Sequence, residues 1–378
     1  MSLFDLNPNI KLICLSAFVF FFGNGLFTFV LPVYITKLNA SPTDVGLLYA
    51  AFYLSWGITI LLGGILTDRF DPKKIMIINS VLWIPVPLAL ALAINWQQLW
   101  LPMILYGTFF EGPAVCVYIL RSASSGKVML AFGMWSASTA LGSIFSPLIG
   151  GTLFSVLGKQ AVFTLAGIFY TASILPLFFL KKIKKTEKQQ KETIFQIKAF
   201  KTSKLIAFCS FFTATMFSIF LLSPFIPQFT HAIYHQTIFD LGIFGTAISI
   251  GAVFFSVALG KIGDKKSKMF AVVLSILISV ISFLLIVTID NFALLCVSFF
   301  LSGASTVVIF LMSGVIGAVA PEHLAGRWIA IGQACVTFAG VGAPILGGIL
   351  YQISPYLAFT TTILILSSLV VFGLVKKL

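Results

Sequence analysis

Charge is what this chain most lacks. Only 9% of its 378 residues are charged, against about a quarter in an ordinary soluble domain. So few charges cannot wet the surface of a 41.1 kDa globule. That excludes a soluble enzyme, a nucleic-acid binder and a disordered chain. Acids are scarcest, with 11 Asp and Glu against 24 Lys and Arg and a formal net charge of +13. Cysteine is sparse too. Cys14, Cys116, Cys209, Cys296 and Cys335 all fall inside apolar runs, so no disulfide framework is implied. Of the three histidines, His231 and His235 are four apart near a loop. A metal site there would need a further ligand, and a solvated loop is the simpler reading; neither metal nor cofactor is expected. A Walker loop, a His-Glu-x-x-His and a Gly-x-Ser-x-Gly constellation are missing, which argues against an ATP-driven pump subunit and against an enzyme. The apolar–polar alternation of a membrane β-barrel is missing as well.

What the chain has in abundance is long apolar runs. Hydrophobic residues make up 59%, phenylalanine alone numbers 40, and mean hydropathy is +1.07. With about 20 residues per helical crossing, twelve spans fit: 10–36, 44–66, 74–94, 98–120, 128–156, 161–180, 205–230, 238–260, 269–289, 292–320, 328–352 and 356–375. The first is too long for a secretory signal and lacks a small-residue cleavage site. With the N-terminus inside, 22 of the 24 Lys and Arg fall on the cytoplasmic side, and only Lys37 and Lys159 lie outside. Basic residues are retained in the cytoplasm, so both termini are expected there, in a multi-pass protein of the cell membrane. The one long polar stretch separates an N-terminal six-helix bundle (1–181) from a C-terminal one (204–378). The linker 182–203 reads equally as a solvated tether or, around Ile194 to Phe200, as a short amphipathic helix on the inner leaflet.

The two halves repeat. Asp44-Val-Gly46 answers Asp240-Leu-Gly242, and Gly64 through Arg69 answers Gly260 through Lys265, both at offset 196. Pro147-Leu-Ile-Gly150-Gly151 answers Pro344-Ile-Leu-Gly347-Gly348 at offset 197. Six spans is an even number, so the duplication is parallel. The loop after span two carries Gly64, Asp68, Arg69, Lys73 and Lys74, and its second copy carries Gly260, Asp264, Lys265 and Lys268. In this loop and in its twelve-span plan the chain resembles the major facilitator superfamily of secondary transporters, whose pattern there is Gly-x-x-x-Asp-Arg/Lys-x-Gly-Arg/Lys-Arg/Lys. Asp71 and Pro72 stand where the family has glycine and a base.

Gly64 lacks a side chain, which would let a neighbouring helix approach closely. Asp68 faces the negative end of its own helix and calls for a compensating cation; Arg121, at the cytoplasmic end of span four, is the candidate. The resemblance implies that such a pair latches the halves in one transport state and releases them in the other. Plain retention of the loop inside accounts for Lys73 and Lys74. Gly317 stands at the repeat position of Arg121, so an asymmetric latch is expected.

Among the acids, Glu111 alone is deep, ten residues before Arg121 and so about 15 Å along a helix. A carboxylate there costs several kcal/mol unless protonated, paired or hydrated. A carboxyl that gains and loses a proton suits a proton-coupled carrier or a cationic substrate; the plainer alternative is an acid that merely packs its helix against Thr108 or Tyr106. Thr108 to Gly112 also align with the Arg-x-x-Gln-Gly of proton-driven drug exporters, but the arginine is missing and the glutamine has become Glu111. Gly142, Ser146, Pro147, Gly150 and Gly151 resemble the exporters' span-five signature Gly-x-x-x-Gly-Pro-x-x-Gly-Gly, with one glycine changed to serine. Such small residues permit close packing in any membrane helix pair.

The resemblance implies an all-α integral membrane protein of twelve helices in two pseudo-symmetric six-helix bundles. It further implies alternating access to a central cavity. Asn24, Tyr53, Trp135, Gln228 and Gln333 are candidates to line it. The drug:proton antiporter-like branch is the closest in motif, and proton-coupled efflux of hydrophobic or cationic small molecules is the leading expectation. Uptake of a small neutral solute, such as a sugar or amino acid, is the alternative, and a non-transporting sensor or assembly factor is a third. The expected partners are a small-molecule substrate, protons and membrane lipids, without nucleic acid, acting on a monomer.

Overall fold

A computed structural model describes residues 7–123, 128–182, 203–320 and 325–375, with a few side chains, Asp68 among them, outside the description. The basic linker and His323 lie outside the described residues. Fifteen α-helices and no strand are found among the described residues: α1 Pro8–Thr28, α2 Leu31–Lys37, α3 Pro42–Arg69, α4 Pro72–Trp83, α5 Pro85–Leu92, α6 Trp100–Tyr106, α7 Glu111–Ser122, α8 Val128–Phe178, α9 Ser203–Leu222, α10 Phe225–Ile233, α11 Ile238–Lys265, α12 Lys268–Thr288, α13 Phe292–Val319, α14 Ala325–Ile353 and α15 Pro355–Val375.

Proline explains several of the divisions, because its ring removes an N–H and crowds the preceding turn. Pro32, Pro85 and Pro224 mark the α1–α2, α4–α5 and α9–α10 junctions. Among the described residues, eleven helical stretches are long and apolar enough to cross a membrane. One of them, Leu130–Phe178, is 49 residues long and breaks at Gly158, whose φ of 80° and ψ of −179° suit a residue without a side chain. It therefore supplies two crossings, which makes twelve spans among the described residues. Large apolar side chains left open, such as Leu92 at 78% and Phe310 at 72% exposure, are what a lipid-facing surface requires.

The repeat has a local cause. α3 and α11 are each 28 residues long and begin 196 positions apart. Each starts with a reciprocal capping box. Ser41 donates its N–H and Oγ to Asp44 Oδ2 at 2.8 and 2.7 Å, and Asp44 N–H returns to Ser41 Oγ at 3.2 Å. Thr237 and Asp240 make the same three bonds at 2.8, 2.6 and 3.2 Å. Asp71 and Pro72, the departures from the family pattern, start α4. Asp71 Oδ1 accepts the Lys73 N–H at 3.0 Å, and Pro72 occupies the first turn, where its missing N–H costs nothing.

By contacts the chain forms two compact units. The first comprises Met1–Asn39, Leu54–Gln189 and Thr237–Thr246; the second comprises Ala40–Tyr53, Gln190–Gln236 and Ala247–Leu378. A core of Ile10, Ile13, Ile75, Met76, Val115 and Tyr118 anchors the first. Phe255, Leu259, Ala271, Ala304 and Val307 form a core in the second.

Candidate functional site in the first unit

Span four is not one helix. α6 ends at Tyr106 and α7 begins at Glu111, leaving Gly107 to Phe110 outside either helix. Unwound backbone inside a membrane needs partners for every polar group, and three neighbours supply them. The Phe109 N–H donates to Thr59 Oγ1 of α3 at 2.8 Å. The Phe110 N–H donates to Asn79 Oδ1 of α4 at 2.7 Å. The Thr108 carbonyl accepts Trp83 Nε1 of α4 at 3.0 Å. Thr59, Asn79 and Trp83 are all buried.

Glu111 is the first residue of α7 and is half-buried. Its carboxyl faces Ser80, the neighbour of Asn79. The Thr108 hydroxyl is spent on the Leu105 carbonyl at 2.7 Å. Asn79 itself is wholly buried, and its Nδ2 has no hydrogen-bond partner. The break thus brings together a carboxyl, a hydroxyl and an unsatisfied amide donor. Sequence reasoning found the acid but missed Thr59, Asn79, Ser80 and Trp83. Their signal was available: polar residues on two adjacent apolar spans.

Asn24 stands in a second network of the same unit. Its Oδ1 accepts both the Tyr106 hydroxyl at 2.7 Å and the Tyr170 hydroxyl at 2.9 Å. Thr28 Oγ1 donates to the Asn24 carbonyl at 2.6 Å and lies 3.2 Å from Tyr106 Oη. The Asn24 Nδ2 makes no hydrogen bond with a described residue. Phe20 joins the two networks, stacked on Trp83 at 4.3 Å and on Tyr170 at 4.6 Å.

The other cavity candidates part company. Trp135 is half-buried against the first unit's core, so it packs there rather than joining the Asn24 network. In the second unit Tyr53 is only 7% exposed, with Phe220 at 4.5 Å and Gly340 against its ring. Gln228 is buried in α10. Gln333 of α14 is half-buried and reaches Ser313 Oγ of α13 at 3.4 Å. The second unit also holds a cavity of about 710 Å³ between α9 and α14, lined by Thr213, Phe217, Cys209 and Cys335 among others.

The glycines of the gating loop do not mediate close packing here. A Cβ on Gly64 or on Gly260 would meet nothing within 4 Å, so the expectation of a close helix approach at Gly64 is corrected. Arg69, Asp264 and Lys265 are exposed and Arg121 is half-buried; the Asp68 side chain lies outside the description. Lys73 makes contacts that the topology expectation does not call for. Its Nζ donates to the Phe178 and Leu180 carbonyls at 2.6 and 2.7 Å, capping the end of α8. Close packing falls instead on the span-five and span-eleven motifs. A Cβ on Gly142 would lie 2.6 Å from the Phe18 carbonyl, and Gly150 lies directly against Leu26. A Cβ on Gly151 would sit 2.9 Å from the Gly242 Cα, next to Pro147. In the second unit Gly347 packs on the Leu221 carbonyl, and Pro344 supplies the backbone against which Gly46 rests.

A family model described as "Major Facilitator Superfamily" matches residues 13–286 and 206–377. The quinolone resistance protein NorA of Staphylococcus aureus is 30% identical over 183 residues, 48% of this chain and 47% of NorA. The chain is thus matched over about half the length of that relative. A "Multi-drug resistance efflux pump PmrA homolog" of Lactococcus lactis is 25% identical over 377 residues, 94% of this chain and 91% of the relative. Among solved structures, a point mutant of the nucleoside transporter NupG superposes with a TM-score of 0.80 at 14% identity, covering 97% of this chain and 98% of that one. A bacterial homologue of the human lysosomal transporter Spinster, inward-facing and occupied, gives a TM-score of 0.79 at 13% identity, covering 97% and 96%.

Proposed function

The chain belongs to the major facilitator superfamily, and on that premise we propose a secondary transporter that exports hydrophobic or cationic small molecules in exchange for protons carried by Glu111. The observation that carries this reading is the position of Glu111, the first residue of a helix that starts after a stitched break inside a membrane span. A helix N-terminus favours the carboxylate, while removal from water favours the acid. The two effects oppose each other, so a proton can be taken up and released by one carboxyl as its access alternates. A cationic substrate competes for the same carboxylate, which makes exchange obligatory. The aromatic surroundings, Phe20, Trp83, Tyr106 and Tyr170, suit an apolar or cationic body. The resistance and efflux relatives support export, and the solved structures support the fold.

In this reading the protein works as a monomer in the cell membrane with both termini in the cytoplasm, and Asp68 with Arg121 forms the cytoplasmic latch. The two six-helix bundles, 1–181 and 204–378, are the rocking bodies. Uptake of a small neutral solute is the second reading; the free amide of Asn24 beside two tyrosine hydroxyls favours it, because such a group recognises neutral hydrogen-bonding solutes.

Inside-out vesicles with an imposed pH gradient decide between them. Lipophilic cations, neutral drugs and labelled sugars are added in turn while a fluorescent dye reports lumenal pH. Dissipation by some compound with the unmodified protein, and none with Glu111→Gln, supports antiport through Glu111. Equal movement of labelled solutes by both proteins, with the gradient intact, rejects it in favour of the second reading.

A further inference from the structure

The cavity between α9 and α14 carries a chemistry that proton exchange does not use. Two of its lining residues are cysteines, Cys209 from α9 and Cys335 from α14. Both are free thiols and both are half-buried. The two face each other as neighbours on one cavity wall, so a single atom entering the cavity can reach both sulfurs. The remaining wall is mainly apolar, with Leu205, Phe217 and Ile331 beside the hydroxyl of Thr213, and among the described residues no Lys, Arg or acid lines it. Its 710 Å³ lies in the range of small-molecule sites.

These facts select among soft ligands. A monovalent cation bridging two thiolates would leave a net negative charge in an apolar cavity whose described lining offers no counter-charge, which is costly. A linear two-coordinate cation would also hold its sulfurs on opposite sides, farther apart than two adjoining thiols stand. A pyramidal trivalent centre holds two sulfurs side by side and gives a neutral product. We propose that Cys209 and Cys335 form a dithiol site for trivalent organoarsenicals of the form R–As(OH)2, with the apolar R group lying against Phe217 and Ile331. Each thiol gives its proton to an arsenic-bound hydroxyl. Two As–O bonds break, two As–S bonds form and two waters leave, with no change in oxidation state.

The test uses the full chain purified in detergent and phenylarsine oxide as the probe. After desalting and a wash with a monothiol, bound arsenic is counted by mass spectrometry. One arsenic per chain is expected, released by ethanedithiol and lost from both Cys209→Ser and Cys335→Ser. A second measurement needs no variant: phenylarsine oxide should protect Cys209 and Cys335 from N-ethylmaleimide while Cys14, Cys116 and Cys296 label as before. Arsenic that survives in either serine variant, or protection that falls on other cysteines or on none, overturns the proposal. Neither readout involves Glu111, so the result stands apart from the fate of proton exchange.

Discussion

If the break in span four is held by its neighbours, Thr59 is the place to loosen it with least collateral change. Thr59 is 7% exposed; its Oγ1 accepts the Phe109 N–H at 2.8 Å and donates to the Ser55 carbonyl at 2.7 Å. Thr59→Val keeps the shape and removes the acceptor, so the Phe109 N–H loses that partner. In water-soluble proteins an orphaned buried group costs about 1–3 kcal/mol. Polar pairs within membrane bundles average about 0.6 and reach about 1.7 kcal/mol, because the unfolded chain in the membrane also finds partners. The expected loss is therefore about 1 kcal/mol, roughly a fivefold change in the folding equilibrium, read by reversible unfolding in mixed detergent–SDS micelles. Thr59→Ser removes one buried methyl group instead, worth about 0.8 kcal/mol, and keeps the acceptor. The two variants should thus be about equally stable yet differ in transport: Val should slow substrate-driven proton flux several-fold, Ser hardly at all. Equal transport by both would refute the link between the stitched break and function.

Asn79→Leu should behave differently, since it orphans the Phe110 N–H but also removes an amide donor that already has no partner. Those terms offset, so stability in the same micelles should change by less than about 1 kcal/mol while proton flux falls. Gly150→Ala drives a methyl into the Leu26 carbonyl and should cost about 1–3 kcal/mol, whereas Gly64→Ala meets open space and should gain up to about 1 kcal/mol from helix propensity; fluorescence-detected thermostability compares the pair. Asp44→Ala and Asp240→Ala break equivalent capping boxes, so each should cost about 1 kcal/mol in unfolding titrations. Clearly unequal costs would contradict the physical equivalence of the repeat.

Much of the fold was legible because membrane helices announce themselves through length and apolarity. The spans drawn from sequence match the observed stretches to within a few residues, and the two sharpest repeat markers, Asp44 and Asp240, are the capping acids of α3 and α11. The helix break was not legible. Gly107 alone does not end a membrane helix, and the groups that hold the break open sit 31 and 50 residues away in sequence. Nor were the neighbours of Tyr53 legible: an aromatic with a polar tip suits a cavity, and its ring is buried beside Phe220 and Gly340, which lie far away in sequence. At Lys73 the topology rule accounted for the charge but not for the α8 carbonyls that the charge caps.

The duplication sharpens where the proposed chemistry lies. At the offset of 196 that relates α3 to α11, Gly107 answers Gly303, and Glu111 answers Val307. In the second copy that span is the single helix α13, 28 residues without interruption, and Val307 is 3% exposed in the core. There the glycine serves packing: a Cβ on Gly303 would stand 2.7 Å from the Ile248 carbonyl of α11. The same ancestral position thus supports a close helix contact in one unit and an opened turn in the other. An opened turn inside a membrane span is costly unless every freed group is partnered, and the first unit spends Thr59, Asn79 and Trp83 on doing so. A carboxyl is a further cost, and it sits where that break already presents a helix N-terminus to it. Packing alone would have been served by the uninterrupted valine-bearing helix that the second unit retains. Packing alone therefore does not explain the arrangement in the first unit, and the proposed reversible binding of a proton or a cation at Glu111 is a demand that a half-buried carboxyl at a helix N-terminus meets.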